Sequence, residues 1–88
     1  MSENEQAKEE RGMLNRCHWA TIYAGTNPKT FVVQLFGSIP STAKLEVEVN
    51  GNVEGILTPK NPKMHANGTK IRVHSSGPEP QGYNYYPA

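Results

Sequence analysis

The sequence predicts an all-β protein: a small antiparallel β-sandwich or a partly open barrel of about five strands, with flexible N- and C-terminal tails. The first observation is compositional, because only 35% of the 88 residues are hydrophobic while 8 are glycines and 7 are prolines, which favour turns. The second is the pattern, in which short runs of alternating apolar and polar residues are separated by turn signals. A chain of 88 residues supports one domain at most.

Three segments divide the chain: an acidic leader over residues 1–14 that we expect to be mobile, a β domain over 15–76, and an arm rich in Pro, Gly and Tyr over 77–88. The leader shows no apolar stripe that could hold a helix. No apolar run reaches membrane-spanning length, and the N-terminus lacks the apolar region of a signal peptide. We therefore expect a chain made without export, in the cytoplasm or in a virion, with no membrane contact.

The first predicted strand covers residues 17–25, where alternation places Trp19, Thr21 and Tyr23 on one face. An Asn-Pro turn follows it.

The second predicted strand covers residues 30–37 and is apolar on both faces. Val32 and Phe36 lie on one side, and the other side carries Phe31, Val33 and Leu35. A strand of this kind is either central in a sandwich or covered by a partner chain. Val32 and Phe36 are therefore candidate partner-binding residues.

The remaining strands alternate regularly. Residues 43–49 place Leu45, Val47 and Val49 inward and Glu46 and Glu48 outward, and Asn50-Gly51 is the favoured two-residue hairpin turn before a return strand over 53–57.

The last predicted strand covers residues 69–76. If it lies beside 43–49, Glu46 and Glu48 face Lys70 and Arg72 across the two strands, an arrangement that would fix the strand register.

Within residues 30–75, a strand ending at Gly, a Pro-containing turn and an alternating strand that runs into Asn-Gly resemble the bacterial Ig-like β-sandwich modules. The residues that carry the resemblance are Gly37, Pro40, Ala43, Leu45, Val47, Val49, Asn50 and Gly51. The resemblance implies a binding or spacer module without catalysis. Such a module needs more strands than this chain supplies, so a truncated sandwich or one completed by a neighbour is expected.

The C-terminal arm combines a Gly-Pro-Glu-Pro-Gln-Gly stretch, which favours an extended spacer, with Tyr83, Tyr85 and Tyr86. Tyrosine is typical of contact surfaces, so these three residues are candidate partner-binding residues. We expect the arm to dock on a neighbouring molecule; folding back onto its own sheet and plain disorder are the alternatives.

The residues that could carry chemistry do not form a recognised pattern. Cys17 is the only cysteine, and it adjoins His18 on a predicted strand, where neighbouring side chains point to opposite faces. The histidines lack the paired spacing of zinc ligands. We expect no enzymatic activity, no catalytic residue, no metal and no cofactor.

A second class of function is open. Small β-barrels bind single-stranded nucleic acid by stacking bases on aromatic side chains, and Trp19 and Tyr23 are the candidates for stacking such bases or a nucleotide-like ligand. Glu46 and Glu48 and the net charge of only +1 disfavour nucleic acid.

The leading expectation is a non-enzymatic protein–protein interaction or assembly module, working as a homo-oligomer or bound to a larger lattice. By analogy of architecture, an accessory or decoration protein of a virus or phage capsid fits this size and design. A phage-type inhibitor of a host protein fits as well.

Overall fold

The structure, a computed structural model, describes residues 10–88, and within them the chain forms six β-strands and no helix. All strand pairings are antiparallel, and the strands form one open sheet in the order β1-β6-β2-β5-β3-β4. The all-β prediction is therefore confirmed. The strands are β1 Glu10–Leu14, β2 Trp19–Phe36, β3 Leu45–Val49, β4 Asn52–Leu57, β5 Lys63–Ser75 and β6 Gln81–Pro87.

Two strands are much longer than their sequence patterns indicate. The first two predicted strands merge into the 18-residue β2, because the chain between Ala24 and Lys29 interrupts the pairing with β5 without ending the strand. The 13-residue β5 begins at Lys63, in the polar segment between the predicted strands over 53–57 and 69–76. A single open sheet therefore replaces the two separate sheets of a sandwich.

The interruption between Ala24 and Lys29 divides the sheet into two halves. In the β6 half, residues 31–36 of β2 pair with β6, and residues 29–34 of β2 pair with residues 63–68 of β5. In the β3 half, residues 19–24 of β2 pair with residues 70–74 of β5, and residues 71–75 of β5 pair with β3.

Both halves contribute to one hydrophobic cluster among the described residues, which removes their apolar side chains from water. Its fully buried members are Val33, Leu45, Val47, Leu57, Ile71 and Val73. The alternation predicted for residues 43–49 is correct, since the even-numbered Glu46 and Glu48 point away from this core. The predicted hairpin turn also forms, with φ of 50° at Asn50 and 89° at Gly51.

The C-terminal segment is not a flexible arm in this structure. Residues 81–87 form β6, which lies between β1 and β2, so the chain folds back into its own sheet. Part of the predicted leader is also structured, because residues 10–14 form β1, an edge strand that pairs with β6. Residues 1–9 lie outside the described part of the chain.

Candidate functional site

The two predicted stacking residues, Trp19 and Tyr23, lie on opposite faces of the sheet. The register between β2 and β5 shifts by one residue at this point: Thr21 lies opposite Arg72, but Tyr23 lies opposite its neighbour Ile71. Ile22 is the extra residue of a β-bulge. Because a one-residue shift reverses which side chains point inward, the predicted shared face of Trp19 and Tyr23 is wrong.

Tyr23 consequently belongs to the edge of the core. Its ring packs against Phe31, with centroids 5.5 Å apart, and its hydroxyl donates a hydrogen bond to the carbonyl oxygen of Asn27 at 2.7 Å. Lys29 lies over the same ring at 5.5 Å. This side chain is therefore occupied by its own chain and does not extend an aromatic surface around Trp19.

Trp19 lies on the outer face of the β3 half and is 40% exposed. Its cross-strand neighbour His74 stacks on it, with ring centroids 4.4 Å apart and an angle of 18° between the planes. The Arg72 guanidinium carbon lies 4.2 Å from the centroid of the indole, a cation–π arrangement. The tryptophan is therefore held in one orientation while much of it still faces solvent.

Two acidic side chains of β3 contact His74 and Arg72, the two side chains that hold Trp19. Glu48 lies opposite Arg72 and accepts a hydrogen bond from its Nε at 2.6 Å, while Glu46 lies opposite His74, with 3.1 Å between Oε1 and Nδ1. The expectation that the glutamates of β3 face basic side chains of β5 is correct for Glu48 and Arg72. For Glu46 the predicted partner, Lys70, is wrong, because the strand register places His74 opposite Glu46.

The ion pair between these strands changes the acidity of both groups. The hydrogen bond from Arg72, together with the positive charges of Arg72 and Lys70, lowers the pKa of Glu48 below its ordinary 4.5, although partial desolvation opposes this. The hydrogen bond to Glu48 also raises the pKa of Arg72. Both side chains are therefore charged at neutral pH, and their charges compensate each other.

β4 completes this surface with two apolar side chains. Ile56 lies opposite Glu46 and is 47% exposed, and Val53 lies opposite Glu48 and is 52% exposed. We call this surface the Trp19 face. From β2 to β4 its residues are Trp19, Thr21, His74, Arg72, Glu46, Glu48, Ile56 and Val53.

The five predicted partner-binding residues are divided between the two faces of the β6 half. Tyr83 is buried in the core, and Tyr85 packs against it with an edge-to-face contact to Phe31. Burial raises the pKa of both tyrosine hydroxyls. Neither ring is available to a partner, because the strand that carries them is built into the sheet.

The other three predicted partner-binding residues face outward on the β6 half. Tyr86 lies opposite Val32, and both are largely covered by their own chain. Phe36 is 37% exposed, and Arg11 lies over its ring at 4.4 Å. This outer surface is thus mostly closed by contacts within the chain.

A polar cleft of about 330 Å³ lies between the β3–β4 hairpin and β5. Its lining includes Glu54, His65 and Asn67, and the Asn67 amide donates a hydrogen bond to the Thr30 hydroxyl at 2.6 Å. Sequence reasoning did not find this cleft, because it depends on where the hairpin passes β5.

Cys17 and His18 lie in the turn before β2 and not in the predicted first strand. The cysteine is exposed, in a turn with φ of 66°, and its backbone N–H donates to Ser75. Across residues 10–88, no group of three or more His, Cys, Asp or Glu side chains is placed to hold a metal ion. In the same residues no helix is long and apolar enough to cross a membrane.

Comparison with known proteins gave no match, whether to models of protein families, to characterised sequences or to solved structures. The geometry of the Trp19 face is therefore the observation that bears on function.

Proposed function

We propose that this chain is a non-enzymatic protein–protein interaction module that binds through the Trp19 face. The observation that carries the proposal is the state of Trp19, which is 40% exposed yet held by His74 and Arg72 on a regular sheet. A large side chain that is fixed before binding loses little conformational entropy when a partner covers it.

The composition of the face supports a protein partner. Tryptophan and arginine are the residue types most often found at the energetic centres of protein interfaces. Val53 and Ile56 add exposed apolar area on the far side, where β4 forms the edge of the sheet. The charges of Arg72 and Glu48 compensate each other within the face, and Glu46 has a hydrogen-bond partner in His74, so a partner protein can cover the Arg72–Glu48 pair without leaving a lone buried charge.

The same charges disfavour the nucleic-acid alternative. A backbone-binding groove needs basic side chains that are free to meet phosphates. On the Trp19 face, Arg72 is bound to Glu48, and Glu46 adds a second carboxylate that would repel a phosphate. The expectation of an accessory role in a capsid stays a prediction, since the same face would serve any assembly.

The experiment is capture of binding proteins from an extract of the source cells on the immobilised full chain. We expect a protein retained by the wild type to be lost with Trp19→Ala. Ile39→Ala is the matched control, because Ile39 is 41% exposed, close to the exposure of Trp19, but lies in the loop after β2, outside the Trp19 face. Equal retention by the wild type and the Trp19 variant would refute the proposal, provided that circular dichroism shows both to be folded.

A further inference from the structure

We infer that the partner of the Trp19 face is a second copy of this chain, packed face to face across a two-fold axis. This inference deepens the proposed function and rests on it. On the Trp19 face, the outward side chains of each strand form one column, and there are four such columns. The order of aromatic, charged and apolar columns across the face points to a second copy as the partner.

The columns run in the order aromatic, basic, acidic, apolar. Trp19 on β2 is followed by His74 and Arg72 on β5, and the acidic column of β3 comes next. The last column, on the edge strand β4, consists of Ile56 and Val53.

This order is self-complementary. When a second copy is turned over about an axis parallel to the strands, between β5 and β3, the order of its columns is reversed. The aromatic column of each copy then lies over the apolar column of the other, and the basic column lies over the acidic one. A two-fold interface requires a surface that matches itself in this way.

The charges favour the same arrangement. Arg72 and Glu48 already form a pair within one copy, so two such pairs brought together alternate in sign, and each arginine meets a second carboxylate. Trp19 of one copy meanwhile covers Ile56 or Val53 of the other, which removes exposed apolar area from water on both sides. Sheets that pack face to face accept such an arrangement with a modest angle between their strands.

Pairing along the edge of the sheet is a weaker alternative. The pairing of β4 with β3 is irregular at Val47 and Glu48, which leaves Glu54 as an extra residue in the edge strand. A bulge and a charged side chain are devices that keep an edge strand from pairing with another chain. The open face is therefore the better surface for a second copy than the β4 edge.

The size of the face sets the expected strength. Four strands about 4.8 Å apart, each about five residues long at about 3.3 Å per residue, give roughly 300 Å² of flat sheet. Stable complexes bury about 800 Å² per partner, so the dimer should be weak, with a dissociation constant on the order of 100 μM.

The experiment is sedimentation equilibrium of the purified full chain from about 10 μM to about 1 mM, a range that brackets a dissociation constant of this order. We expect the mass to rise from monomer to dimer. Ile56→Glu should raise the dissociation constant at least about tenfold, because it places a carboxylate over the electron-rich face of the other copy's indole and buries it without a counter-charge. Ile39→Glu is the matched control and should leave the constant unchanged. A monomer at every concentration would overturn the inference, and so would a dimer that is insensitive to Ile56→Glu.

A charge-exchange variant tests the geometry. In Glu48→Arg combined with Arg72→Glu, the pair within each copy is kept, and two variant copies still match each other. In a mixture with the wild type, like charges face each other. We therefore expect the variant to dimerise with itself and to form few mixed dimers, measured by native mass spectrometry with isotope-labelled wild type. Mixed dimers at the statistical proportion would contradict the face-to-face arrangement.

The two proposals can fail separately. If the purified chain stays monomeric while Trp19→Ala still abolishes capture of another protein, the face is a binding surface and only its partner has been misidentified. If the chain is monomeric and capture is insensitive to Trp19→Ala, both proposals are wrong.

Discussion

The position of the C-terminal strand can be tested at a single glycine. Gly12 of β1 lies opposite Tyr83 of β6. A Cβ atom at Gly12 would lie 2.5 Å from the Tyr83 hydroxyl oxygen and 2.6 Å from the ring carbon that bears it. Real Cβ atoms do not approach this closely, so Gly12→Ala must displace a ring that is buried in the core.

The expected cost follows from two opposing contributions. Forcing extra volume into a packed site costs about 1–3 kcal/mol. Replacing glycine by alanine within a strand returns about 0.5–1 kcal/mol. The midpoints of these two ranges leave a net loss of about 1 kcal/mol, so we expect Gly12→Ala to lower the free energy of unfolding by about 1 kcal/mol, measured by urea denaturation.

Gly55 supplies the matched control, since it also lies on an edge strand. A Cβ atom there would meet the sulfur of Met64 at 2.7 Å, but this is the end of a flexible side chain that can move aside. We expect Gly55→Ala to change stability by less than about 0.5 kcal/mol.

A double-mutant cycle assigns the effect to the tyrosine. In a Tyr83→Leu background the ring is gone, so Gly12→Ala should become neutral or stabilising. If Gly12→Ala costs nothing in the wild type, or costs the same in both backgrounds, then β6 does not lie beside β1 in this register and the reasoning is refuted.

The remaining predictions concern the same strand and the ionisable groups. A chain ending at Ser76 lacks the strand between β1 and β2 and should not fold, as measured by circular dichroism; a folded, cooperative truncation would show that β6 is dispensable. Because the folded-state pKa of Glu48 is lowered, its pairing with Arg72 stabilises the fold above pH 4.5 and is lost as the pH falls through the lowered pKa, so Glu48→Gln should flatten the acid limb of the stability curve. Because burial raises the pKa of Tyr83 and Tyr85, stability should fall as the pH rises above 10.0, and an unchanged alkaline limb in Tyr83→Phe would contradict the burial of the Tyr83 hydroxyl.

The elements that the sequence predicts correctly are those with local causes. The alternation of residues 43–49 and the Asn50-Gly51 turn need only the period of a strand and a tolerance for positive φ. The pairing of Glu48 with Arg72 was also predictable, because it requires only that two regular strands lie side by side.

The bulge at Ile22 and the position of the C-terminal strand were not predicted, because both depend on pairing between distant parts of the chain. The bulge at Ile22 leaves no mark in the sequence, yet it moves Tyr23 to the other face and leaves Trp19 as the single exposed ring of the site. For the C-terminal segment a signal was present, because Gln81, Tyr83 and Tyr85 alternate as a strand does. The preceding Gly-Pro stretch predicted a spacer, and the pairing with β1 and β2 is non-local, so the pattern alone could not place it.

The outer surface of the β6 half is mostly closed by contacts within the chain and leaves little area for a partner. The two features that first indicated a partner were the tyrosine-rich end and the two-sided apolar strand, and both are accounted for by contacts within the chain. Tyr83 fills the core, and Val32 is covered although it faces outward. A partner can therefore bind only the side chains that stay exposed after folding. On the Trp19 face, an aromatic anchor, balanced charges and an apolar edge remain together. Across the four strands the order is aromatic, basic, acidic and apolar, and this order is complementary to the reversed order on a second copy. The surface therefore favours a second copy over an unrelated protein.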